Sequence, residues 1–159
     1  MELHIREATT ADYEALCALF DEGDALHREN LPHVFRKPEG PVRDWEFVLS
    51  LIAEEKVGLF VAQAENELAG VICVLVRESP AIPIFVPRRY AVIDNIVVRD
   101  RFRRRGVGRA LVERAHEWAT GQGVEEIELN VWAFNRGAVA FYRRLGYETA
   151  SLRMTRRLG

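Results

Sequence analysis

The sequence predicts an α/β domain built on a mixed sheet. Three observations carry this reading. Strand-like and helix-like periods alternate along 159 residues without a repeat, a low-complexity tract or a dividing linker. Two apolar runs flank the polar segment AENE in the first half, the pattern of a hairpin. In the second half a β-branched strand runs through a basic loop into a glycine-marked helix start. A chain of this length is expected to form one domain, residues 1–159, with a proper buried core.

Taken in order, Leu3 to Arg6 reads as a short strand, after which Thr9 or Thr10 can cap a helix carrying Leu16, Leu19 and Phe20 on one face. Prolines and charges between His27 and Arg36 suggest a helix, turn, helix passage. Trp45, Val48, Leu49 and Ile52 mark the next amphipathic helix. Leu59 to Gln63 and Leu68 to Val76 are the hairpin strands, and prolines 80, 83 and 87 make the loop that follows. Tyr90 to Val98 is a central strand. Val107, Leu111, Ala115 and Trp118 then share one helical face, with Gly121 and Gly123 as stop signals. Ile127, Leu129 and Val131 alternate with polar residues as another strand. Asn135 caps a helix in which Ala138, Phe141, Tyr142 and Leu145 fall together, and Gly146 ends it. The tail TASLRMTRRLG alternates imperfectly and reads as a final edge strand, an edge that would permit a homodimer.

Composition removes several function classes. The longest apolar run, Val71 to Val76, is far too short to cross a bilayer. The opening MELHIREATTADYEALC carries acids where a signal peptide needs basic and then apolar residues, so an untargeted, cytoplasmic protein is expected. Cys17 and Cys73 form no C-x-x-C, and His27 and His33 lie six apart, off one helix face; no metal is expected. The net charge of −2 hides an asymmetry: residues 1–86 carry 7 basic and 16 acidic side chains, residues 87–159 carry 15 and 8. A basic half invites an anionic partner and an acidic half a cationic one.

The segment RFRRRGVG, Arg101 to Gly108, concentrates this basic charge at a helix start. The first N–H groups of a helix lack internal partners and its dipole is positive there, so an anion belongs at that end. Glycine at 106 and 108 lets a diphosphate approach the backbone, with Arg103, Arg104, Arg105 and Arg109 as charge-assisted donors and Val107 between the glycines. The plainer alternative is a tight turn with a solvated arginine face. A Walker A loop needs Lys-Ser or Lys-Thr after its glycines, and none occurs. A dinucleotide fingerprint finds Leu111 where its third small residue belongs, although Glu126 and Glu128 suit a ribose-binding acid. A nucleic-acid patch would want a basic domain with interleaved aromatics, and the pI here is 6.1.

R-x-x-G-x-G, matched by Arg103, Gly106 and Gly108, resembles the acyl-CoA motif of the GCN5-related N-acetyltransferase (GNAT) superfamily. Asn135 to Tyr147, NRGAVAFYRRLGY, is similar to the family's N-x-x-A-x-x-F-Y-x-x-x-G-F, with Tyr147 in place of Phe. The resemblance covers about the whole chain; the N-terminal third matches only in layout. It implies the family's fold: a mixed sheet of about six to seven strands, about four helices, and strands splayed at the acetyl-CoA site. It also implies direct acetyl transfer from acetyl-CoA to an amine. Main-chain groups of Ile96, Val97 and Val98 would then hold pantetheine and thioester, the loop from Arg103 to Arg109 the diphosphate, and Asn135 the pantetheine arm. Tyr142 would be the general acid for the departing thiolate, a phenol being protonated at neutral pH; packing in the core is its competing role. Asp94 would be the general base; the alternative is a β-bulge at Asp94 and Asn95. Glu22, Asp24 and Glu29 hint at a cationic acceptor. Rival readings are a dinucleotide-binding oxidoreductase and a non-catalytic CoA-binding or nucleic-acid-binding module.

Overall fold

The computed structural model describes residues 1–40 and 42–159, and the chain divides into two compact units, Met1–Leu129 and Asn130–Gly159. The first unit holds a five-stranded sheet in the order β1 (Leu3–Glu7), β2 (Val57–Ala64), β3 (Glu67–Glu78), β4 (Arg89–Val98) and β5 (Ile127–Leu129). The first four strands run antiparallel to their neighbours and β5 runs parallel to β4. A parallel pair needs a crossover, and α3 (Val107–Gly121) provides it. The sheet is thus mixed, with one or two fewer strands than the resemblance implied.

Side-chain parity sorts the sheet's faces. Leu59, Val61, Leu68, Val71, Cys73 and Val97 pack with Leu16, Leu19 and Phe20 of α1 (Tyr13–Asn30) and Val48 of α2 (Trp45–Ala53). The alternate positions look the other way: a Cβ at Gly70 would meet Leu111 and Val107 of α3, and the Arg114 guanidinium lies 4.4 Å from the centre of the Phe60 ring. No helix among the described residues is long and apolar enough to cross a membrane.

Local chemistry explains the boundaries. The Thr9 N–H donates to Asp12 (2.8 Å), whose carboxylate also takes two bonds from Arg6 (2.8 and 2.9 Å) and is held below the usual carboxylate range by them. A 3₁₀ turn, Thr10–Asp12, forms there and leads into α1. Contrary to the helix, turn, helix expectation, α1 simply continues to Asn30 and gives way to turns: helical bonding persists to the Leu31 N–H on the His27 carbonyl. Asp44 caps α2 by accepting from the Phe47 N–H. Glu65 and Asn66, both at positive φ (52° and 64°), make the two-residue turn between β2 and β3. After β3, Ser79 closes the proline loop by bonding Val86 and Arg88.

In the second unit Asn135 caps α4 (Arg136–Arg144), accepting from the Ala138 N–H at 3.2 Å. Gly146, at φ 93°, ends it. The expected edge strand in the tail does not form. Leu152, Met154 and Leu158 are exposed, Arg156 interrupts their side, and no burial offsets the entropy of ordering them.

Candidate functional site

The site begins with the handedness of β4's hydrogen bonds. N–H groups alternate sides along a strand. The Ala91 N–H donates to the Glu126 carbonyl beside β5 (2.9 Å), yet the Arg99 N–H, an even number of residues later, donates to Ala69 of β3 (2.8 Å). One inserted residue causes the reversal. Cys73 pairs with Asn95 and Val74 with Ile93, so Asp94 stands opposite no residue of β3. This is a β-bulge. Beyond it the main-chain groups of Val97 point toward β3, while those of Ile96 and Val98 point to the opposite edge, where pairing with β5 has already stopped at Ile93. Of the three main-chain positions the sequence nominated, two therefore face an open edge.

From this edge the chain enters the basic loop. A 3₁₀ turn, Asp100–Phe102, buries the Phe102 ring completely. Arg104 and Gly106 are both left-handed, at φ 61° and 84°, and the residue after Gly106 is right-handed and helical. Residues of opposite hand in succession turn their N–H groups toward one side and form a concavity for an anion. The first helical bond of α3 runs from the Ala110 N–H to the Gly106 carbonyl (3.1 Å), so the N–H groups of Val107, Gly108 and Arg109 precede it at the positive end of the helix. This arrangement fits a phosphate group. Gly106 is needed for its left-handed backbone, since a Cβ there would meet nothing within 4 Å.

The arginines are not equivalent. Arg103 donates to the Val98 carbonyl (3.3 Å) and pairs with Asp100, and Arg109 pairs with Glu113 one turn on. Arg105 pairs with Glu65, and Arg101 with Glu65 and Glu67. Arg104 makes no ion pair among the described residues. The two glutamates of the β2–β3 turn escaped the sequence reading, which took AENE only as a polar turn; the long separation between turn and loop hides the contact.

Asp94 is exposed and lies near Cys73, whose thiol is pushed up to about 12 by burial and then by the Asp94 charge. The acids expected near an acceptor are partly engaged elsewhere. Glu22 accepts from the Asp100 N–H (2.9 Å), tying α1 to the loop, and Asp24 pairs with Arg43 (2.8 Å). Glu29 is exposed. A cavity of about 260 Å³ beside α1 is instead lined by Glu14 and Asp21, with Tyr13, Cys17, Val42 and Arg43.

In the second unit Tyr142 is buried, edge-on to Phe141 (5.2 Å) and Tyr147 (5.6 Å). Burial pushes its phenol up to about 12, so it stays protonated at neutral pH. Asn135 spends its side-chain oxygen on the helix cap. No cluster of three or more His, Cys, Asp or Glu among the described residues could hold a metal.

A family model described as "Acetyltransferase (GNAT) family" matches residues 20–147. An uncharacterised N-acetyltransferase of Methanocaldococcus jannaschii is 34% identical over 68% of this chain and 49% of its own length. The ribosomal protein bS18-alanine N-acetyltransferase of Salmonella typhimurium is 40% identical over 40% of this chain and 43% of its own. The chain spans about half the length of these curated relatives, or less. Among solved structures, a point mutant of the BH1408 protein of Bacillus halodurans superposes with a TM-score of 0.91 at 28% identity, covering 98% of this chain and 99% of that one.

Proposed function

Because this chain belongs to the GNAT acetyltransferase family, we propose that it is an N-acetyltransferase, residues 1–159 acting as one domain, that moves the acetyl group of acetyl-CoA directly to a primary amine of a small molecule or protein. The observation that carries this reading is the continuity from an open main-chain edge at Ile96 and Val98 into the converging N–H groups at Gly106 to Arg109. The first suits an extended amide-containing arm, the second its diphosphate.

When bound, acetyl-CoA supplies the acetyl group and a thiolate leaving group. The Ile96 and Val98 main chain orients the arm, and an unpaired N–H at this edge can stabilise negative charge developing on the thioester oxygen. Asp94 takes, through water, the proton that the attacking ammonium must lose, a group that titrates near 10 when free. Tyr142 donates a hydrogen bond to the departing sulfur. With its phenol held at about 12, it works as negative charge builds on sulfur, since a thiolate already free is too weak a base to remove its proton. Asn135 steadies the arm while capping α4. Glu14 and Asp21 of α1, which line the neighbouring cavity, support a cationic acceptor.

Calorimetry of acetyl-CoA binding, with NADH and a short single-stranded oligonucleotide as controls, tests the reading. Gly108→Glu sharpens it: a carboxylate in the first turn favours the helix but repels a diphosphate. Binding is expected to weaken by at least about a hundredfold, a loss of roughly 2.7 kcal/mol, without a lower melting temperature. Equal affinity for NADH, or no effect of the substitution, would sink the proposal.

A further inference from the structure

The loop's backbone is strained, and something must hold it. Arg104 is a non-glycine residue at φ 61°, a conformation that persists only where the surroundings over-determine it. On one side Arg103 is tied to the Val98 carbonyl and Asp100. On the other side the ties come from a distant part of the chain. Arg101 donates from Nε to Oε1 of Glu67 at 3.0 Å, and its Nη2 forms an ion pair with Oε2 at 2.7 Å. Glu65 reaches Arg101 at 3.8 Å and Arg105 at 3.7 Å. Both guanidiniums lie over the ring of buried Phe102, at 4.5 and 5.5 Å from its centre. Of the anchoring acids, Glu65 is the first residue of the two-residue turn and Glu67 the first residue of β3, paired across the turn with Ala64.

We propose that Glu65 and Glu67 of the β2–β3 turn are positioning residues: by holding Arg101 and Arg105 they keep residues 103–106 in the shape that converges the loop's N–H groups on a diphosphate. The assignment of the diphosphate rests on the acetyl-CoA reading above. A carboxylate beside a phosphate site would ordinarily weaken binding through like-charge repulsion. Here each acid faces an arginine, so its charge is compensated locally and its effect is to order the loop. A planar guanidinium held at two of its nitrogens, by a hydrogen bond and an ion pair, loses rotational freedom, and so does the backbone that carries it.

The test uses Glu65→Gln/Glu67→Gln and, separately, Arg101→Lys, which keeps the charge but not the two-pronged contact. Amide exchange on the free protein should accelerate by roughly tenfold across residues 103–108 in both variants, while β1 and β2 keep their protection. In turnover, the double variant should raise KM for acetyl-CoA by roughly three- to fivefold, the size that one or two exposed ion pairs support, with kcat within about a factor of two. Unchanged exchange in the loop, or a KM that falls because the acids merely competed with phosphate, would overturn the proposal. Exchange is read without acetyl-CoA, so a wild type that never bound it would defeat the functional reading and still leave the clamp to be judged.

Discussion

The two halves of β4 are both rich in β-branched residues, Val92 and Ile93 in one and Ile96, Val97 and Val98 in the other, and they have opposite duties. Arg89 to Ile93 pairs with β3 throughout, and from Ala91 to Ile93 it pairs with β5 as well; those three residues are buried. Asn95 to Val98 keeps its partner β3 but has no pairing with β5. A single unpaired residue, Asp94, separates a strand that holds the sheet together from one that can bind a ligand by its backbone. The lesson concerns parity: inserting one residue exchanges which carbonyls and N–H groups face each edge, without changing the strand's hydrophobic content.

Three experiments break or sharpen this contrast, the largest effect first. Deleting Asp94 should restore the pairing parity of the distal half and abolish measurable turnover. Asp94→Asn keeps the bulge and removes only the carboxylate, so a fall of about a hundredfold in kcat/KM would assign the proton-accepting role to the side chain. An unchanged pH profile would leave Asp94 with the bulge alone. Tyr142→Phe offers the matching test in the second unit, where kcat is expected to fall by about a hundredfold with KM for acetyl-CoA little altered.

Packing under the open half gives a moderate effect. A Cβ at Gly70 would lie 2.8 Å from the Val97 carbonyl and 3.0 Å from Leu111, and the carbonyl cannot yield without moving β4. Gly70→Ala should therefore destabilise by about 1–3 kcal/mol, visible as a drop of several degrees in melting temperature. Gly106→Ala meets no such wall and should act through its left-handed backbone alone, by about 1 kcal/mol.

The smallest effect is alkaline and lies away from β4. Tyr142 and Tyr147 are each pushed up to about 12, chiefly by burial. Since the folded protein holds these protons more tightly than the unfolded chain does, the stability they confer is complete below pH 10 and is lost as pH rises toward 12. Denaturant titrations across that window should show a decline that Tyr147→Phe reduces. A flat profile in the wild type would mean that the phenols are not shielded.

Much of this was legible in the sequence because it is local. The spacing of Leu16, Leu19 and Phe20 marks a buried helix face, and their burial follows. Asn135 three residues before Ala138 announces a cap, and it is one. Gly106 at a helix start suits a tight turn, and its backbone there is left-handed, at φ 84°. Where local pattern lacked a partner, the reading failed: the tail's alternation describes a strand only if a neighbouring ladder receives it.

What the sequence by itself determined is therefore the family and most of the order of elements, since periodicity, capping and motif are properties of adjacent residues. Tertiary structure alone decided which edge of β4 is open, which arginines are already paired, and that Glu22, Glu65 and Glu67 brace the loop from 34 to 78 residues away. Those contacts depend on register and on parity across strands; the polar pair Asp94 and Asn95 marks the place of a bulge in the sequence, and only the paired sheet fixes which edge it opens.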